Sequence, residues 1–92
     1  KTVTEKTDTV ASSARRALQT MGFKEDRTAA ADGIITIWAS SPRREVQVKL
    51  AAISENTTRI RIDVDRGWIF REDPSTAAEI MIQTELALGK RG

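Results

Sequence analysis

A chain of 92 residues with no histidine and no cysteine has few routes to covalent chemistry. Ser-His and Cys-His nucleophile pairs need residues that it lacks, and the usual zinc, copper and iron ligands are missing with them. What remains is hydroxyls, lysines and carboxylates. The carboxylates of interest, Asp26, Asp32, Asp63, Asp65, Glu72 and Asp73, fall mostly at turns and caps. Asp73 stands before Pro74 and reads as a helix N-cap. Asp63 and Asp65 share one strand face at i, i+2, with no neighbouring pocket to perturb them for acid–base work. Ser12-Ser13 and Ser40-Ser41 have no general base beside them except lysine or a carboxylate. The 5 glycines occur singly, so no phosphate cradle forms. The expectation is a non-enzymatic domain without metal or cofactor.

Three groups of residues suit binding better than catalysis. Trp38 alternates with Ile37 on a strand and faces outward when Ile37 faces the core, near Lys49 and Arg61 on neighbouring strands. An aromatic ring with flanking cations on an open sheet is one way to stack single-stranded nucleic acid. The plainer reading is a tryptophan covering the sheet rim under the stems of Arg and Lys side chains. Trp68, Ile69 and Phe70, bracketed by Arg66 and Arg71, form the second group. They serve as a partner-binding or membrane-touching tip, or fold back to cap the core. Third, Arg43, Arg44, Lys49, Arg59 and Arg61 make a basic stripe, but Glu45, Glu55, Asp63 and Asp65 are interspersed in sequence. Lys+Arg exceed Asp+Glu by 15 to 13, so the charges read as a mixed solvated surface rather than a strong basic field.

The elements that position these residues follow from periodicity. Thr9 to Met21 carries Val10, Ala14, Ala17, Leu18 and Met21 on one helical stripe, with Thr7 or Asp8 as N-cap and Gly22 as the stop. Lys1 to Glu5 suits an edge strand. After Gly22 the period becomes two. Phe23–Ala29, Ile34–Ser40, Glu45–Ser54 and Thr58–Val64 read as strands, with Asp32-Gly33 as a hairpin turn and short connections that favour an antiparallel meander. Ile35, Ile37 and Ala39, then Val46, Val48, Leu50 and Ala52, then Ile60, Ile62 and Val64 point inward. Asp65 to Glu72 is a loop. A second helix, capped by Asp73 with Pro74 at its first position, runs to about Leu88. Ala77, Ile80, Met81, Thr84 and Leu88 form its buried stripe, widened by Ile82 and Leu86. The fold expected is a single α+β domain over 1–92, a two-layer sandwich. Its antiparallel sheet has four strands, or five with Lys1–Glu5, and both helices cover one face in the order (β)-α-β-β-β-β-α.

Apolar residues at 39% and charged residues at 30% fit a folded domain rather than a disordered one. No apolar run approaches the ~18 residues of a membrane helix. The stretches Ala14-Arg-Arg-Ala-Leu-Gln-Thr-Met-Gly-Phe23, Thr58-Arg-Ile-Arg-Ile-Asp-Val64 and Ser75-Thr-Ala-Ala-Glu-Ile80 resemble a domain-of-unknown-function family of small proteobacterial envelope lipoproteins. The likeness spans about residues 9 to 88. More distantly, the chain is similar to the helix-grip domains of the BamC lipoprotein. The resemblance implies a periplasmic, outer-membrane-associated domain with no catalytic residues, its lipidated cysteine and signal peptide lying upstream of Lys1. The function expected is a protein-interaction or structural module of the envelope, contacting a protein partner through Arg66, Trp68, Ile69, Phe70 and Arg71 or through an exposed strand edge such as Lys1–Glu5. The alternative is a cytoplasmic nucleic-acid-binding domain using Trp38, Lys49, Arg59 and Arg61.

Overall fold

The computed structural model describes residues 1–66 and 72–89. Its elements are β1 (Thr2–Val3), α1 (Thr7–Thr20), β2 (Lys24–Ala31), β3 (Ile34–Ser41), β4 (Arg44–Ser54), β5 (Thr57–Asp65) and α2 (Pro74–Gly89). The strands form one antiparallel sheet in the order β1-β5-β4-β3-β2. This is the α+β architecture that the periodicity predicts, in its five-stranded form.

Alternation along the strands decides which face is covered. Ile37 and Ala39 on β3, Val46, Val48 and Leu50 on β4, and Ile60 and Val64 on β5 are all buried. They pack with Val10, Ala14 and Leu18 of α1 and Ile80 of α2 in one core. The intervening residues Lys49, Arg59, Arg61 and Asp63 are exposed, so both helices lie on the same face and the other face is open. Fully buried side chains such as Leu18, Ile37, Leu50, Ile60 and Ile80 each contribute about 2 kcal/mol.

Turn chemistry sets the ends. Gly22 adopts φ +85°, and the bonds Gly22 N–H to Gln19 O (3.0 Å) and Phe23 N–H to Leu18 O (2.9 Å) close α1 as a Schellman motif. Asp32 (φ 54°) and Gly33 (φ 76°) make the two-residue β2–β3 hairpin, the left-handed pair that Asp-Gly supplies best.

Four sequence expectations need correction. The N-cap of α1 is Lys6, with no side-chain cap. Neither Thr7 nor Asp8 caps it, because the chain is already helical at Thr7, whose hydroxyl lies 3.2 Å from Thr58 Oγ1. The predicted Lys1–Glu5 strand shrinks to Thr2–Val3. Ala52 is exposed, because it sits beside a register shift between Ala52 and Ser54 at the end of β4. Ile82 and Leu86 are each 50% exposed. α2 packs on β5 and α1, which leaves the side bearing those two residues toward solvent.

Candidate functional site: the open sheet face and its free edge

The five-residue contact group falls mainly outside the description: Trp68, Ile69, Phe70 and Arg71 lie beyond the described residues. Arg66, which precedes them, is exposed, and its Nε is 3.6 Å from Asp73 Oδ2. Asp73 is the centre of a compact network. Its Oδ2 accepts from Arg44 Nε at 2.7 Å and from Thr76 Oγ1 at 2.7 Å, and its Oδ1 accepts from Thr76 N–H at 3.1 Å, the N-cap bond predicted for α2. The Arg44 guanidinium first, then the two Thr76 donors, hold the Asp73 carboxyl well below the usual carboxylate range. Asp73 N–H also donates to Val64 O at 2.8 Å. The buried carboxylate thus ties the β3–β4 turn, the end of β5 and the start of α2 together, which is a structural role.

The four residues of the basic-face reading do share one surface. Register places Trp38 opposite Gln47, with Thr36 opposite Lys49. On the next strand Lys49 stands opposite Arg61 and Ala51 opposite Arg59. Directly opposed like charges such as Lys49 and Arg61 repel, and Arg61 turns instead to Asp63, at 3.2 Å. Trp38 is half-buried, and the Arg27 guanidinium lies 3.9 Å from its ring centroid, a cation–π stack. A base approaching that ring meets the Arg27 side chain first. Acidic Glu45 and Asp65, paired across β4 and β5, and Asp63 occupy one end of the same face, so its sign is mixed. Among the described residues, no group of three carboxylates is placed to hold a metal.

The edge at β2 carries what sequence reasoning missed. All eight residues of β2 are exposed, so this strand projects past the helix layer. Its backbone phase follows from one hydrogen bond: Ala52 N–H donates to Gly33 O at 2.9 Å. In an antiparallel ladder, successive residues turn their backbone groups to opposite sides. Gly33, Ile35 and Ile37 therefore address β4, and Ile34, Thr36 and Trp38 address β2. The partners of the latter set are Ala31, Ala29 and Arg27. Thr28 and Ala30 are left with N–H and C=O groups pointing away from the sheet, where β2 is the last strand.

This edge is guarded along half its length. A register shift at Asp26, between Glu25 and Arg27, and the charges of Lys24, Glu25, Asp26 and Arg27 are ordinary protections against edge pairing. Arg15 of α1 strengthens that half, with Nε 3.0 Å from Glu25 Oε1 and Nη2 3.3 Å from Thr28 Oγ1. Beyond Thr28 come three alanines and no such device. A shallow apolar cavity of ≈ 160 Å³ opens beside them, between the hairpin and the first turn of α1, lined by Ala30, Ile34, Ile35, Ala52 and Thr7 among others. The opposite edge is different: β1 is two residues long, and the Lys1 ammonium donates to Ile60 O at 2.9 Å. The signal available in the sequence was the absence of large apolar residues from Lys24 to Ala31, unlike the other three long strands.

Comparison of the chain with protein-family models, with curated proteins and with solved structures finds no match.

Proposed function

We propose that this domain is a non-enzymatic protein-interaction module of the bacterial cell envelope. The observation that supports it is the unguarded outer edge of β2, where the backbone groups of Thr28 and Ala30 face outward beside an apolar cavity. Exposed edges bind extended segments of other proteins by strand addition. The envelope setting rests on the resemblance at Ala14–Phe23, Thr58–Val64 and Ser75–Ile80, and it entails a membrane attachment only through a lipid anchor upstream of Lys1. The test is photocross-linking in the native cell, with a probe at position 30 and a control probe at position 16, on the exposed side of α1. Protein adducts at 30 but not at 16, recovered with the envelope fraction, are expected. Equal labelling at both positions, or a cytosolic protein with its initiator Met retained, defeats the reading.

A second reading is supported by the register that puts Trp38, Lys49, Arg59 and Arg61 on one open face. It is a nucleic-acid-binding domain. Three phosphate contacts to a single strand give a slope of about −2 in log affinity against log salt, from counterion release. An affinity that is flat between low and moderate salt ends this reading.

A further inference from the structure

We propose that the unguarded half of β2 receives an extended segment of another protein in antiparallel register, with a branched aliphatic residue opposite Ala30 and a carboxylate three residues later opposite Arg27. The inference rests on the interaction-module reading and specifies its partner. Residues directly opposed across two strands share a face of the sheet. Ala30 is paired with Ile35, and both line the ≈ 160 Å³ cavity, so a side chain opposite Ala30 lands against that cavity. Its lining is apolar and of a size for a valine or isoleucine side chain. The backbone N–H and C=O of Thr28 and Ala30 supply the main-chain hydrogen bonds, and the cavity supplies selectivity, the division of labour usual in strand addition.

Arg27 adds the second determinant. It stands opposite Trp38 on the open face, stacks on that ring and makes no ion pair among the described residues. Three positions along an antiparallel partner from the residue opposite Ala30 is the residue opposite Arg27. A glutamate or aspartate there lies on the same face as the guanidinium.

A second copy of this chain fits poorly. Pairing Thr28 with Ala30 of another copy offers the cavity only a threonine. Pairing Ala30 with itself offers an alanine, and pairing Thr28 with itself brings Asp26 of the other copy opposite Ala30, a charge against an apolar wall. Threonine has valine's shape but sets a hydroxyl against the apolar wall, so none of the three registers that match outward-facing backbone groups gives the cavity a branched aliphatic side chain.

The experiment titrates the full ¹⁵N-labelled chain with acetyl-Thr-Val-Thr-Thr-Glu-Thr-amide, followed by amide shifts and hydrogen exchange. Shifts centred on Thr28–Ala31 and on Ile34 and Ile35 are expected, with new protection at the Thr28 and Ala30 amides. Replacing the peptide valine by alanine is expected to weaken binding about tenfold, from the methyl groups no longer buried; replacing its glutamate by glutamine weakens it by a smaller, salt-sensitive factor. In the protein, Ala52→Leu fills the cavity and is expected to abolish the valine preference while the β2 shifts persist. Equal affinity for the valine and alanine peptides on the wild type overturns the inference but leaves the edge, and with it the interaction module, in place. No shift on β2 with either peptide overturns it outright, and the cross-linking at position 30 then decides the broader reading separately. Protection of Thr28 and Ala30 that grows with protein concentration alone assigns the edge to a second copy and also overturns it.

Discussion

A proline scan along β2 separates the residues that bond β3 from those that face outward. Ala29 is paired with Thr36 and Ala31 with Ile34, and the ladder phase directs their N–H groups into the sheet. Proline at 29 deletes one ladder hydrogen bond, leaves the Thr36 carbonyl without its donor and pushes the ring against β3. The unmet hydrogen bond alone costs about 2 kcal/mol. At position 30 the N–H faces outward, so no native bond is lost. Pulling φ toward −65° costs about 1 kcal/mol, offset in large part by the 0.4–1 kcal/mol that proline removes from unfolded-chain entropy. Ala30→Pro is therefore expected to lie about 2 kcal/mol above Ala29→Pro in stability. For a domain of 92 residues the unfolding entropy is about 0.19 kcal/mol/K, so the gap corresponds to about 10 °C in Tm. Thermal unfolding followed by far-UV circular dichroism, with Ala29→Gly and Ala30→Gly as backbone-entropy controls, reads it directly. Equal losses for the two prolines, or the reverse order, would refute the assignment of Thr28 and Ala30 to the free side.

Two further outcomes follow from buried polar groups. Thr58 is fully buried and donates to Glu5 O at 2.8 Å, so the 3.2 Å contact with Thr7 Oγ1 has Thr7 as donor. Thr58→Val keeps the shape but removes both bonds and is expected to cost about 2 kcal/mol in urea denaturation, with faster amide exchange at Val3; Thr58→Ser, which keeps the hydroxyl, loses less. Asp73 has a carboxyl pKa lowered by Arg44 and Thr76. A group depressed in the folded state stabilises above its unfolded value, near ~3.9, and loses that contribution as pH falls below it. Asp73→Asn is expected to be less stable than wild type at neutral pH, and the difference should close as acid unfolding is followed from pH ~4 downward. A gap that stays constant over that range would mean that the ion pair with Arg44 is not its source.

The fold was largely readable because its elements obey single periods. Val46, Val48 and Leu50, or Ile60 and Val64, alternate cleanly since one face is buried and the other is wet. Gly22 and Asp32-Gly33 mark conformations that few other residues adopt cheaply. Two departures have separate causes. Ala52 alternates as an inward residue, yet it sits at the register shift that ends β4, beside the open cavity under the first turn of α1. Ile82 and Leu86 look like core residues in a helix apolar nearly all round, but only one side of α2 has anything to pack on. The basic face was legible as a set, since strand parity alone puts Trp38, Lys49, Arg59 and Arg61 together. The β2 edge was not. Which strand is outermost depends on the order of pairing, and which amides are free depends on ladder phase, a property set by the Gly33–Ala52 bond and not by any side chain.

The Asp73 network has a consequence for evolvability. Asp65, the last residue of β5, makes an isolated antiparallel bridge with Glu72, and Asp73 is bonded to Val64 O and salt-linked to Arg44 and Arg66. Both ends of the intervening stretch, 67–71, are thus pinned by residues that do not belong to it. The junction of β5 with α2 is therefore held by a set of residues that can change only together: losing Arg44 alone leaves the Asp73 carboxylate buried without its nearest cation, a costlier state than losing both partners.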